Sequence, residues 1–349
     1  MTPARQPPPA ASKPPTAEES VDLLAVDEVA KRLKYRPVHT VGIGGGGVFI
    51  PCDVAGQFCT AEFFTAERTA VTLRFSNGLG SAETHDDWND VRGLAVRFHL
   101  SNGSAADLLA MTLPEFFTRT LETFGDFARA TTPVPVARSS AWEKLRDMLH
   151  LIRPLPDPPR DRRESGEGPA AVFADANSEC RLAMFHASTL GAPVSYARAA
   201  YHAVHTFVVT GADRVRRHVR FHWIPVAGVR KRPPHAKPEP SYLADELRAR
   251  VAKDPPRFQL MMTIGEAGDD FDDVSRPWPP HRVRVVMGTL IVDTVHDDQQ
   301  TNGEKLSFNP WRLVDGIRPG SDPIFLLRHH AYEVSRGRRE ASPCPFARE

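Results

Sequence analysis

Strand-like segments arranged in two blocks are the sequence feature that most limits how this chain can fold. Apolar and β-branched residues between Gly, Asn and Asp turns mark each segment. The first block has segments near 38–50, 70–76, 93–100 and 107–113, and the second has 195–210, 214–229, 257–265 and 281–295. Eight such segments favour one antiparallel β-barrel of about eight strands.

Helical patterns lie between and after these blocks. A capping box of Thr16 and Glu19 begins a predicted helix of about 15 residues. Further helical segments occupy 115–130, 140–152 and 241–253, and a final helix begins near Asp322. The sequence therefore predicts an α+β fold, an eight-stranded barrel with inserted and C-terminal helices.

Composition limits the kinds of partner and the compartment. A formal net charge of +1 gives no reason to expect nucleic acid or an anionic membrane as partner, and no apolar run is long enough to span a bilayer. The proline-rich residues 1–15 are expected to form a disordered arm without a secretory signal, and residues 16–349 a single domain. The four cysteines match no zinc or redox spacing, which favours free thiols in a cytoplasmic protein: Cys52, Cys59, Cys180 and Cys344.

The C-terminal helix carries an unusual polar stripe. At about 100° per residue, Arg328, Tyr332, Ser335 and Arg339 fall within an arc of about 60°. A guanidinium one turn from a phenol stabilises the phenolate, and a tyrosinate is one of the ligands that proteins use for haem iron. The stripe also fits a solvated basic helix end in which Tyr332 packs by its ring, and the helix alone does not separate the two interpretations.

A glycine-rich segment in the first block has two interpretations. Gly42, Gly44 and Gly47 fit the pattern G-x-G-x-x-G, but β-branched residues and Pro51 follow, where a dinucleotide-binding loop must open a helix. We therefore interpret the glycines as allowing a close backbone approach to a flat ligand.

Several separated motifs together resemble the catalase family. They are R-H-H-A-Y in the last helix, Y-H-A-V-H-T-F at 201–207, the segment 36–49, and R-F-S-N followed by R-G-L-A-V-R-F. The resemblance implies that Tyr332 ligates haem iron and that Arg328 bonds its phenolate oxygen. It also implies that His205 and Asp322 support Arg328.

The same resemblance assigns the opposite side of the haem. His39 is the distal histidine, an acid–base group for cleaving a peroxide O–O bond, and Ser76 bonds it. The remaining residues implied to hold haem b, ferric iron protoporphyrin IX, are Arg36, Val38, Arg74, Ser335 and Arg339. The three arginines among them are implied to be partners of the propionates.

The chain departs from the catalase pattern at two points. Thr132 occupies the position of an Asn above the haem, and its hydroxyl orients a bound peroxide less firmly than an amide. The sequence also ends soon after the last helix, so we expect it to lack the C-terminal helical domain of full-length catalases. It therefore resembles the shortened catalase-related peroxidases, with similarity over about residues 20–340.

The expected function is a haem-dependent peroxidase. It would reduce hydrogen peroxide, organic hydroperoxides or both, and oxidise a small organic reductant. The expectation includes a role in the oxidative stress response and is compatible with weak catalase activity. Two alternatives stay open: hydroperoxide rearrangement as in allene oxide synthases, which carry Thr where this chain has Val38, and a haem-binding barrel without catalysis. A homodimer is compatible with the sequence, which does not fix the oligomeric state.

Overall fold

The computed structural model describes residues 13–24, 36–80, 84–130, 173–174, 176–233, 239–296 and 306–340. Three predictions lie outside these residues: the helix over 140–152, the position of Thr132, and the state of Cys344. Residues 1–12 of the proposed arm also lie outside them. The division into an arm over 1–15 and a single domain over 16–349 stays a prediction.

Ten strands form one antiparallel sheet in the described residues. They are β1 (Gly42–Pro51), β2 (Thr69–Asn77), β3 (Arg92–His99), β4 (Ala105–Met111), β5 (Tyr201–His202), β6 (Phe207–Thr210), β7 (Arg216–Pro225), β8 (Arg257–Ile264), β9 (Arg284–Val295) and β10 (Ile317–Pro319). Eight of them close into a barrel in the order β1, β2, β3, β4, β5, β7, β8, β9, because β9 pairs with β1 and β7 pairs with β8. Strands β6 and β10 extend the sheet from β7. The predicted eight-stranded barrel is confirmed.

Helices cover the outside of the barrel. The described ones are α1 (Ala17–Leu24), α2 (Ala55–Phe58), α3 (Glu62–Thr65), α4 (Leu121–Ala130), α5 (Arg181–Thr189), α6 (Tyr242–Lys253) and α7 (Pro323–Glu340), with two short 3₁₀ turns at Ser178–Cys180 and Tyr196–Arg198. The predicted capping box is present, since Thr16 N donates to Glu19 Oε2 over 2.7 Å and Glu19 N donates to Thr16 Oγ1 over 3.2 Å.

Strand alternation separates a packed interior from the outer face of the barrel. Aromatic side chains fill the barrel, and Phe49 meets Phe98 and Trp223 edge-on at ring-centre distances of 5.3 and 6.1 Å. Paired residues on neighbouring antiparallel strands share a face. Phe75 points inward with Leu94, so Ser76 and its partner Gly93 must lie on the outer face.

Three predicted elements begin or run differently in the structure. The strand predicted from residue 38 begins only at Gly42, because His39 has a positive φ of 58° and breaks the extension. The helix predicted over 115–130 begins at Leu121, where Thr120 Oγ1 accepts from Thr123 N. The strand predicted over 195–210 is interrupted by the turn at Tyr196–Arg198 and divided into β5 and β6.

The state of the three described cysteines agrees with the sequence analysis. Cys52, Cys59 and Cys180 are free thiols. Within the part of the chain that the structure describes, none of the helices combines the length and apolarity needed to cross a bilayer.

Candidate active site

A cavity of about 500 Å³ lies between the outer face of strands β2–β4 and the inner side of helix α7. Its wall is largely apolar, with phenylalanines from 116–127 and leucines from α1 and α7. Cavities of this size and character hold cofactors and drug-sized ligands. Nine of the residues singled out in the sequence line it: Arg36, Val38, His39, Arg74, Ser76, Arg328, Tyr332, Ser335 and Arg339.

His39 is held in the cavity by four contacts. Its backbone N–H donates to Gly78 O over 3.0 Å, and its carbonyl accepts from Arg74 Nη1 over 2.9 Å. Its ring Nδ1 lies 3.0 Å from Ser76 Oγ, and its ring packs on Gly93, where an added Cβ would lie 2.9 Å from Nδ1. A non-glycine residue at positive φ costs about 1–3 kcal/mol, and these contacts hold it there.

The surroundings keep His39 neutral. Burial lowers its pKa from 6.5 to about 3, and the positive charges of Arg74, Arg328 and Arg36 act in the same direction. A neutral imidazole accepts a proton at one ring nitrogen while the other donates or accepts a hydrogen bond. This geometry suits His39 to act as a base whose Nδ1 is oriented by Ser76.

Helix α7 brings a hydrogen-bonded chain to the opposite wall. Asp322 caps the helix, because its Oδ1 accepts from Phe325 N over 2.7 Å. Its Oδ2 lies 3.0 Å from His205 Nδ1, and His205 Nε2 lies 2.8 Å from Arg328 Nη1. Arg328 Nη2 in turn donates to Tyr332 Oη over 3.1 Å.

The directions of these bonds fix the tautomer of His205. Arg328 can only donate, so His205 Nε2 is the acceptor and Nδ1 carries the proton that it donates to Asp322. Burial lowers the pKa of His205, which agrees with a neutral ring. Phe325 stacks on this ring with centres 4.2 Å apart, so Arg328 meets a ring of fixed orientation. His205 and Asp322 thus lie outside the cavity, on the far side of Arg328. They orient the guanidinium so that its Nη2 donates to Tyr332 Oη.

Three further guanidinium groups reach the cavity. Arg74 also donates to Thr40 O over 3.0 Å, Arg36 donates to Leu306 O, and Arg339 Nη1 donates to Ser335 Oγ over 2.7 Å. Positive charge at the margin of an apolar cavity favours a ligand whose apolar body carries carboxylates at its edge.

The interpretation of the glycine-rich segment is wrong. Gly42–Gly47 are part of β1 and do not line the cavity. They allow close approach of another strand, since an added Cβ on Gly47 would lie 2.0 Å from Ile291 O, at the β-bulge between β1 and β9. Their extended conformation confirms that the segment is not a dinucleotide-binding loop.

Comparison with known proteins agrees with this geometry. The family model described as catalase matches residues 24–342. The chain belongs to the catalase family. A catalase-related peroxidase of Mycolicibacterium paratuberculosis is 30% identical over 86% of this chain and 87% of that protein. A catalase-related peroxidase of Synechococcus elongatus is 25% identical over 86% and 82% of the two chains.

Longer catalases match as well. Catalase-2 of Bacillus subtilis is 26% identical over 90% of this chain but only 47% of its own length. The predicted membership of the catalase superfamily, on the side of the catalase-related peroxidases, is confirmed. As a member of this family, the protein is an oxidoreductase that acts on peroxide.

Proposed function

We propose that the protein is a haem b-dependent peroxidase that reduces hydrogen peroxide or organic hydroperoxides and oxidises a small organic donor. The observation that carries this proposal is the pairing of two walls across one cavity. A phenol supported by a guanidinium lies on one wall, and a neutral histidine oriented by a serine hydroxyl lies on the other. A haem used for peroxide reduction needs an iron ligand on one face and an acid–base group on the other, and the two walls would supply them.

The residues present fit haem. Tyr332 would hold the haem iron, because its phenol oxygen accepts a hydrogen bond from Arg328 Nη2 over 3.1 Å and a tyrosinate is one of the ligands that proteins use for haem iron. The apolar wall suits the macrocycle, and Arg36, Arg74 and Arg339 suit its two propionates. Haem, when bound, supplies the redox chemistry of peroxide reduction.

The chain's own residues would accept and return the proton of the hydroperoxide. When the proton of His39 is on Nδ1 and donated to Ser76 Oγ, Nε2 is free to take the proton of an incoming hydroperoxide. The same nitrogen then returns that proton to the oxygen that leaves as water or alcohol. Burial lowers the pKa of His39, which favours a neutral imidazole at the start and the return of the proton afterwards.

The role of Thr132 stays a prediction, since it lies outside the described residues. An organic donor is part of the proposal because the cavity wall near His39 is apolar. The proposal further includes a cytoplasmic location and leaves the homodimer to be measured.

The test compares haem-loaded protein with its His39→Gln variant. Hydrogen peroxide and a bulky alkyl hydroperoxide are each supplied with an organic donor. The proposal expects both peroxides to be consumed in step with donor oxidation, and the variant to lose about 10²–10⁴-fold in kcat/KM because its acid–base group is missing. An epoxide formed from a fatty-acid hydroperoxide without any reductant would show a rearrangement instead. Peroxide consumption that is unchanged in the variant would show that His39 has no acid–base role. A haem-binding barrel would then be the better interpretation.

A further inference from the structure

A pair of histidines lies on the same cavity, at positions to which the haem assignment above gives no role. His202 on β5 and His222 on β7 are direct partners in the sheet, and their Nδ1 atoms lie 2.9 Å apart. His222 Nε2 lies 2.9 Å from Thr263 Oγ1 on β8. Both histidines are partly buried, Thr263 is 5% exposed, and His202 lines the cavity.

Register places this pair level with the catalytic site. Across the outer face of the barrel, Ser76 pairs with Gly93, Gly93 with Met111, Met111 with His202, and His202 with His222. The ring of His39 packs on Gly93. Two strand spacings separate Gly93 from His202, about 10 Å. His202 therefore faces the same cavity as His39, at a distance that leaves room for a small molecule between them.

The hydrogen bonds give the pair two neutral arrangements. In one, His202 Nδ1 donates to His222 Nδ1, His222 Nε2 donates to Thr263, and His202 Nε2 is an acceptor. In the other, each proton has shifted, the Thr263 hydroxyl donates to His222, and His202 Nε2 is a donor. Both arrangements are satisfied because a hydroxyl donates or accepts equally well. His202 Nε2 has no hydrogen-bond partner among the described residues.

The charged groups around the pair keep it neutral at rest. Burial lowers the pKa of His202 to about 4, with Arg284 on β9 and His186 on α5 acting in the same direction. The pKa of His222 lies well below its usual value because of burial, His202, Arg284 and Arg220. A neutral imidazole with an open Nε2 is a proton acceptor available on the cavity side.

We propose that His202, backed by His222 and Thr263, is the proton acceptor for an aromatic hydroxyl donor, a phenol, bound at this end of the cavity. The neighbouring wall includes Met111 and Met184, whose thioethers make favourable contacts with aromatic rings. The assignment rests on the proposed peroxidase function, because it names the donor class for that same cavity.

The step balances as one electron and one proton for each phenol. The O–H bond of the phenol breaks, its proton bonds to His202 Nε2, and the hydrogen bond from His202 Nδ1 to His222 Nδ1 stabilises the positive charge that results on His202. The electron goes to the oxidant that peroxide reduction produces. His202 then releases its proton to solvent, and one proton from solvent reaches the oxygen that becomes water, so the number of protons balances. Two phenols and one hydroperoxide thus give two phenoxyl radicals, one alcohol and one water.

The test is a donor comparison with the haem-loaded full chain. A monohydric phenol loses a proton on oxidation, whereas ferrocyanide loses only an electron. We expect His202→Asn to lower kcat/KM for the phenol at least tenfold and to leave the ferrocyanide value within twofold, because the Asn amide keeps a partner for His222 but offers no base. His99→Asn is the matched control, since His99 bonds Thr72 Oγ1 at 2.8 Å on the same barrel but outside the cavity.

A second variant and a binding measurement complete the design. Thr263→Val removes the hydroxyl that bonds His222 Nε2, and it should lower the phenol rate severalfold without changing ferrocyanide turnover. This variant keeps the test available if His202→Asn fails to fold. The phenol dissociation constant, measured by difference spectroscopy without peroxide, should rise in His202→Asn. Equal losses with both donors, or an unchanged phenol rate, would overturn the assignment. Absence of peroxide consumption by the unaltered protein would instead overturn the peroxidase function on which it rests.

Discussion

Gly93→Ala should damage catalysis through a single methyl group. The added Cβ would lie 2.8 Å from Ser76 Oγ and 2.9 Å from both Cε1 and Nδ1 of His39. Ordinary contact between such atoms needs about 3.5 Å, so the imidazole must move by about 0.6 Å or lose its bond to Ser76. Misplacement of a catalytic group by about 1 Å costs about 100-fold in rate.

We therefore expect kcat/KM for peroxide to fall about 10- to 100-fold, which corresponds to about 1.4–2.7 kcal/mol of barrier. Overpacking should also lower the free energy of unfolding by about 1–3 kcal/mol, measured by denaturant titration. Gly337→Ala makes the same change in helix α7, where nothing lies within 4 Å of the new Cβ, and should leave kcat/KM unchanged. A folded Gly93→Ala variant with kcat/KM within twofold of the unaltered protein would refute the reasoning.

Two further predictions concern the helix cap and pH. Asp322→Ala should lower the free energy of unfolding by about 1–3 kcal/mol, because it removes both the cap of α7 and the acceptor of His205. Asp322→Asn should keep the cap and lose less. Equal losses of stability for the two variants in thermal denaturation would contradict this. Unfolded His39 binds a proton near pH 6.5 and folded His39 only near 3, so stability should fall as pH drops through that window, and less steeply in His39→Gln, as measured by denaturation at each pH. Parallel pH curves for the two proteins would rule out this contribution.

Local motifs predicted most of the site, because its residues lie at fixed spacings within single elements. Arg328 and Tyr332 are one helical turn apart, and Arg74 and Ser76 share a strand face, so their relation follows from backbone periodicity alone. The barrel followed similarly from the count of strand-like segments. The break at His39 did not, because its positive φ depends on contacts with Gly78 and Gly93 that are distant in sequence.

Features that depend on register between strands were missed. The glycines of β1 are needed by its neighbour β9, which lies more than 200 residues away in the sequence. Strand β5 has only two residues, Tyr201 and His202, too few to show any periodicity, so nothing in the sequence indicated that His202 faces the cavity. Only the pairing of β4, β5 and β7 brings it level with Gly93.

The most direct test of the account is the visible spectrum of the haem-loaded protein and of its Tyr332→Phe variant. Tyr332 is the proposed iron ligand, so the unaltered protein should show a high-spin ferric tyrosinate spectrum. That spectrum should disappear in Tyr332→Phe but persist in Tyr242→Phe, whose hydroxyl bonds Pro193 O and does not line the cavity. A ferric tyrosinate spectrum that survives in a folded Tyr332→Phe variant would contradict the central claim.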